Sequence, residues 1–110
     1  MKLPLSVPDV ELDLQPMNSA QVLSGTPSSG SSVVRTYDGA EVGVWAMTPG
    51  TVSDVEEDEI FVVLAGAASI RFEDGRVVEV RAGQVMELLK GQRTEWTVTE
   101  TLRKVYVIAR

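Results

Sequence analysis

Short apolar runs rich in Val, each closed by Gly, Pro or Asp-Gly, recur about every 8–12 residues along the chain, the rhythm of a β-sandwich or barrel. Helix signals are nearly absent, so the pattern predicts an all-β domain. In Glu41–Met47, Val42, Val44 and Ala46 alternate with Gly43, Trp45 and Met47. Both sets are apolar, which calls for cover on both faces of that strand. Ile60-Phe61-Val62-Val63-Leu64 has the same two-sided character and closes at Gly66, as expected of a central strand. Asp74-Gly75 between Ser69–Glu73 and Arg76–Arg81 predicts a hairpin, because Gly adopts positive φ without a Cβ clash. Asp38-Gly39 predicts another turn. Gln84–Leu88, Glu95–Val98 and Leu102–Ala109 supply three more strands, parted by Lys90-Gly91 and a corner at Thr99–Thr101.

The pattern divides the chain into three parts. Residues 1–23 carry a weak Val10-Leu12-Leu14 alternation and read as an N-terminal arm, suited to an added edge strand on the barrel or on a partner. Residues 24–32, rich in Gly, Ser and Pro, offer little to bury and read as a flexible loop. Residues 33–110 read as the barrel itself. At 110 residues the chain suits a single domain.

Composition then removes whole classes of chemistry. There is no Cys and no His. Disulfides, zinc-thiolate sites, a Ser-His-Asp triad and any His-ligated metal centre are excluded, leaving oxygen ligands alone for a metal. Ten basic residues face sixteen acidic ones, for a net charge of −6, which argues against nucleic acid as a partner. Met1–Leu5 carries one Lys and reaches Pro4 and Pro8 before an apolar run can form, which does not suit a signal peptide. No stretch is long and apolar enough for a spanning helix. The expectation is a cytoplasmic protein with no membrane partner.

Five of the six residues Asp54–Glu59 are acidic. Charge runs of this kind usually face water, and the segment is expected to be a solvated loop ahead of a buried strand. Glu59 differs from its neighbours because it opens that strand. Alternation sets Glu59, Phe61 and Val63 on one face and Ile60, Val62 and Leu64 on the other. With the first set inside a barrel, Glu59 is a carboxylate at the mouth of an apolar pocket. It would resist ionisation there unless a cation or donor lies close. Arg71 and Arg93 are the candidate partners.

Residues 40–66 resemble the first half of a cupin, most closely the small cupins grouped with the ureidoglycine aminohydrolase-like proteins, the domain of unknown function 861 family. The marks are Gly43-Val44-Trp45, Thr48-Pro49-Gly50 and the Glu57-Asp58-Glu59 step. Ala82-Gly83, Gly91, Trp96 and Arg103–Ile108 match the second half, and Leu23–Pro27 matches the lead-in, so the resemblance covers residues 22–110. It implies a single-domain jelly-roll barrel, commonly a homodimer, with a small-molecule cavity inside. The cupin pattern has a His-x-His pair just ahead of a Glu, then six residues and a Gly. Glu59 and Gly66 fit; the His positions fall on Ser53 and Val55, or on Val52 and Asp54. In the second motif Gly83 and Gly91 fit, but Leu89 replaces the Pro and Thr94 stands at the His position. Of the metal ligands the resemblance implies, Glu59 alone remains. Asp54 and Glu95 are the residues from which a hard-cation site for an ion such as Mn²⁺ could be rebuilt. The expectation is no metal cofactor.

Three function classes follow. The first is metal-independent binding of a small molecule in the barrel, with Trp45, Met47, Phe61, Arg71, Met86, Thr94, Trp96 and Tyr106 lining the pocket. The second is an enzyme of the amidohydrolase, lyase or isomerase type with Glu59 as acid/base. The third is a structural dimerisation module built on the outward Ile60-Val62-Leu64 face, which needs a second subunit or the arm to cover it.

Overall fold

The computed structural model describes residues 2–110. After a single 3-10 turn at Val7–Asp9, nine strands follow: β1 (Gln15–Pro16), β2 (Val22–Ser24), β3 (Ser28–Tyr37), β4 (Ala40–Met47), β5 (Gly50–Val55), β6 (Asp58–Phe72), β7 (Val77–Arg81), β8 (Val85–Leu88) and β9 (Arg93–Ala109). Every pairing is antiparallel. The all-β expectation holds, and β4, β6, β7, β8 and β9 cover the runs that alternation marked as strands, while β2, β5 and the start of β3 lie outside them.

Two long strands organise the barrel. The second half of β9 lies between β4 and the first half of β6, and β8 continues that layer beyond β6. The first half of β9 lies between β5 and the second half of β6, with β2 and β7 outside them. Thus β6 and β9 each run through both layers. They cross between layers together, through register shifts at Val63–Ala68 opposite Val98–Lys104. Gly66, with φ +89°, makes the crossing possible, since a Cβ there would run into the Thr101 carbonyl oxygen. The breaks expected at Gly66 and at Thr99–Thr101 are therefore bends within continuous strands.

The interior face of the first layer reads off the register. Trp45, Lys104 and Val63 form one cross-strand row, and Gly43, Tyr106, Phe61 and Met86 form the next. Phe61, Met47, Val63, Ile70, Leu88 and Leu102 are the fully buried heart of the core. Ile60, Val62 and Leu64 face outward and stay exposed, as alternation requires.

Residues 28–32, expected in a flexible loop, belong to β3, which pairs with β4 from Ser29↔Met47 onward. Composition misleads here because an edge strand's ladder is made by backbone groups, which Ser and Gly supply as well as Val does. The small residues have a further use. A Cβ on Gly30 would meet the Asp13 carbonyl oxygen at 2.5 Å, so the arm lies directly against this strand. The arm is tied at the far end of the same row, Gly30–Ala46–Arg103, where the Arg103 guanidinium donates to the Val7 and Val10 carbonyl oxygens at 3.1 and 2.9 Å. It thus crosses the outer face of β4, which accounts for the burial of Val44 and Ala46 outside the interior cluster. Val10, Leu12 and Leu14 form no strand; only Gln15 and Pro16 pair with β3. Arg103→Met should release this strap, lowering unfolding stability by roughly 1–3 kcal/mol and speeding limited proteolysis before residue 15. An unchanged cleavage rate would show that the two hydrogen bonds do not hold it.

Candidate functional site

The interior rows of β4, β6 and β9 converge on Lys104. Its ammonium donates to Glu59 Oε2 at 2.6 Å, and both side chains are only 8% exposed. Three rings surround the nitrogen, with Phe61, Trp45 and Trp96 centroids at 4.4, 4.6 and 4.9 Å. The rings also brace one another. Trp45 and Trp96 meet edge-on at 6.0 Å, and Phe61 tilts against Trp96 at 5.6 Å. A cation facing aromatic π-density and bonded to a carboxylate recovers part of what it loses on leaving water.

This ion pair opens on a cavity of about 360 Å³, lined by Met17, Trp45, Met47, Trp96 and Tyr106 together with the carboxylates Glu41, Asp54, Glu56 and Glu59. Each carboxylate has its own setting. Glu56 is 6% exposed, and its Oε2 accepts from Thr94 Oγ1 at 2.6 Å and Trp96 Nε1 at 2.9 Å. Glu41 accepts from the Tyr106 hydroxyl at 2.9 Å. That hydroxyl stands where a Cβ on Gly43 would be, so the glycine clears its path. Burial, then the bond to Glu41, pushes the Tyr106 phenol up to about 12.

Asp54 pairs with no cation among the described residues, and its Oδ1 takes the Val55 N–H at 2.8 Å. Asp54 is exposed as a residue, and the part of its carboxyl turned away from water, with the charge of Glu56, pushes its pKa up to about 6 from 3.8. The folded chain therefore holds this proton more tightly than the unfolded one. Its contribution to stability falls as pH rises from about 4 to about 6.

Of the residues the sequence nominated, Glu59, Trp45, Met47, Trp96 and Tyr106 line the cavity. Phe61 stands behind Lys104, and Thr94 fixes Glu56. Met86 packs against the core away from the cavity. Arg71 lies in a wider groove of about 810 Å³ with Glu73, Arg93, Thr94 and Glu95, which adjoins the cavity and shares Gln21, Ser53 and Asp54 with it. The cation beside Glu59 is neither Arg71 nor Arg93, which pairs with Glu73 at 3.2 Å. Lys104 and Glu56 escaped sequence reading. Lys104 shares the phase of Leu102, Tyr106 and Ile108, so alternation along β9 could have found it. Glu56 lies in an acidic run expected to face water, and nothing local distinguishes it.

The donor set does not fit a cupin metal. Glu59 is taken by Lys104 and Thr94 by Glu56; Val52 is core and Val55 is an exposed alkyl group. No three His, Cys, Asp or Glu residues converge among the described residues.

The EutQ-like cupin domain model matches residues 34–106. The chain belongs to this family. The EutQ protein of Clostridium difficile superposes with a TM-score of 0.77 at 20% identity, over 96% of this chain and 84% of that one. A Salmonella typhimurium protein described as ethanolamine utilization protein Q gives a TM-score of 0.67 at 26% identity, over 74% of this chain and 69% of that one. A DUF861-family protein of unknown function from Pseudomonas syringae gives 0.80 at 24% identity over 92% of this chain, which spans 45% of that protein. Curated proteins give no match. These likenesses establish the EutQ-like cupin barrel, and the DUF861 resemblance read from the sequence holds with it. None of them carries a specific activity to this chain. No helix among the described residues is long and apolar enough to cross a membrane.

Proposed function

We propose that this EutQ-like cupin binds a small polar molecule in its barrel without a metal ion, and does so in the cytoplasm. The observation that carries the reading is the Lys104–Glu59 pair beside the cavity: an ammonium occupies the one carboxylate that matches the cupin ligand pattern. Aromatic walls with a few fixed polar groups are the usual make-up of a ligand pocket. A thermal-shift screen of small polar metabolites should raise Tm in a concentration-dependent way, following RT ln(1+[L]/Kd). Chelator treatment should change neither the Tm nor the ligand response. A stoichiometric transition metal in the purified protein, or a ligand response lost with chelator, would refute the metal-free reading.

A second reading, acid/base catalysis, is favoured by one observation: Asp54 faces the same cavity with a pKa near 6. In that case Asp54, which has no cation partner among the described residues, works beside Glu59, which Lys104 engages.

The same proposal includes a homodimer. Ile60, Val62, Val85 and Val107 lie on adjacent strands, Val62 opposite Val85 and Ile60 opposite Val107, and all remain exposed beyond the arm's reach. A second copy laid on this face would cover it. Sedimentation at micromolar concentration should give a dimer, and Val62→Glu should give a folded monomer; a monomeric parent protein would exclude this assembly.

A further inference from the structure

Lys104 is the one lysine of three placed in the interior; Lys2 and Lys90 are exposed. Among the described residues its nitrogen touches a single hydrogen-bond acceptor, Glu59, and otherwise meets ring faces and the cavity. Burial away from water is one of the ways a lysine is made nucleophilic toward carbonyls; here the ring faces and Glu59 favour the ammonium, so the neutral amine forms only as Glu59 takes its proton in front of the cavity.

We propose that Lys104 forms a Schiff base with a small neutral aldehyde or ketone admitted to the cavity, with Glu59 moving the protons. Glu59 takes a proton from the ammonium, and the freed amine adds to the carbonyl carbon, forming a C–N bond while the carbonyl electron pair goes to oxygen. Protons passed through Glu59 convert that oxygen to a hydroxyl and then to water, which leaves as the C=N bond forms. The sum is R–CHO plus Lys–NH3⁺ giving R–CH=NH⁺–Lys plus H2O, with no oxidant or reductant needed. Charge is conserved, so the protonated imine keeps both the Glu59 carboxylate and the aromatic cage that already hold the ammonium. The other cavity carboxylates, Glu41, Asp54 and Glu56, outnumber the one further cation, Arg110, and disfavour an anionic keto acid. The inference rests on the reading of this cavity as a ligand site.

The test is reductive trapping on the parent protein. It is incubated with pentanal or 2-oxopentanoate and cyanoborohydride near neutral pH, and the alkylated lysines are mapped by peptide mass spectrometry. Lys104 should be modified by pentanal at least about tenfold faster than Lys90 or Lys2, and more slowly by the keto acid. Glu59→Gln should slow trapping by roughly tenfold or more, as loss of a positioned acid/base does. Modification spread evenly over the lysines, none at Lys104, or an unchanged rate in Glu59→Gln would overturn the proposal. Compounds that raise Tm yet leave no adduct would defeat this inference alone, whereas a cavity that binds nothing would defeat the binding reading as well.

Discussion

Replacing Lys104 with Met should cost about 3–5 kcal/mol in urea unfolding, because it strands the Glu59 carboxylate in the interior with no counter-charge. The reverse truncation, Glu59→Leu, should cost less. Its loss leaves Lys104 with three ring faces at 4.4–4.9 Å, a partial substitute for the carboxylate that has no equivalent on the other side of the pair. The double variant should return to within about 1–2 kcal/mol of the parent, since an apolar pair of similar volume escapes the desolvation penalty altogether. This asymmetry separates a caged cation from an ordinary buried ion pair. Equal costs for the two single variants would mean that the rings contribute nothing.

A comparable loss is expected from a single methyl group at Gly66. Gly66→Ala combines a φ of +89°, unfavourable for any L residue, with a Cβ driven into the carbonyl oxygens of Glu100 and Thr101. Strain and overpacking together should lower stability by roughly 2–6 kcal/mol. Gly75→Ala is the internal control: its φ is +88°, but nothing lies within 4 Å of the added carbon, so only the conformational cost of about 1–2 kcal/mol should appear. Chemical denaturation of the two variants side by side measures the steric part by difference. Similar losses would show that the strand crossing at Gly66 yields to accommodate the methyl.

The strands and their phase were legible because period-two alternation is a direct consequence of the pleat. It placed Glu59 and Phe61 inward and Ile60, Val62 and Leu64 outward with no knowledge of partners. What escaped depended on partners. Lys104 follows Arg103 at the head of an apolar run, where a charged pair reads as surface, and its charge becomes tolerable inside only through Glu59, 45 positions away, and rings from β4, β6 and the far half of β9. Glu56 is hidden by Thr94 and Trp96, which alternation along β9 identifies as inward but cannot join to an acidic turn. Residues 28–32 look like linker because composition reports side-chain burial, whereas an edge strand is held by its backbone and, here, by an arm that needs small residues beneath it. Met86 lies outside the cavity and Arg71 in the groove that adjoins it for a related reason: the direction of a side chain along a strand is readable, but its height above the cavity is set by how the two layers curve.

The double membership of β6 and β9 has a consequence for how the molecule is made. β4, β5 and β6 all take β9 as a neighbour, yet β9 follows all three in the chain, and Asp58 must find Ala109 before the first layer closes. During synthesis these strands leave the ribosome with their shared edge open, exposed to wrong pairing with one another or with other nascent chains. Contacts this distant in sequence also place the domain among slow folders, on the order of milliseconds to seconds. The strand that joins both layers is thus also the one whose arrival sets when the barrel can form.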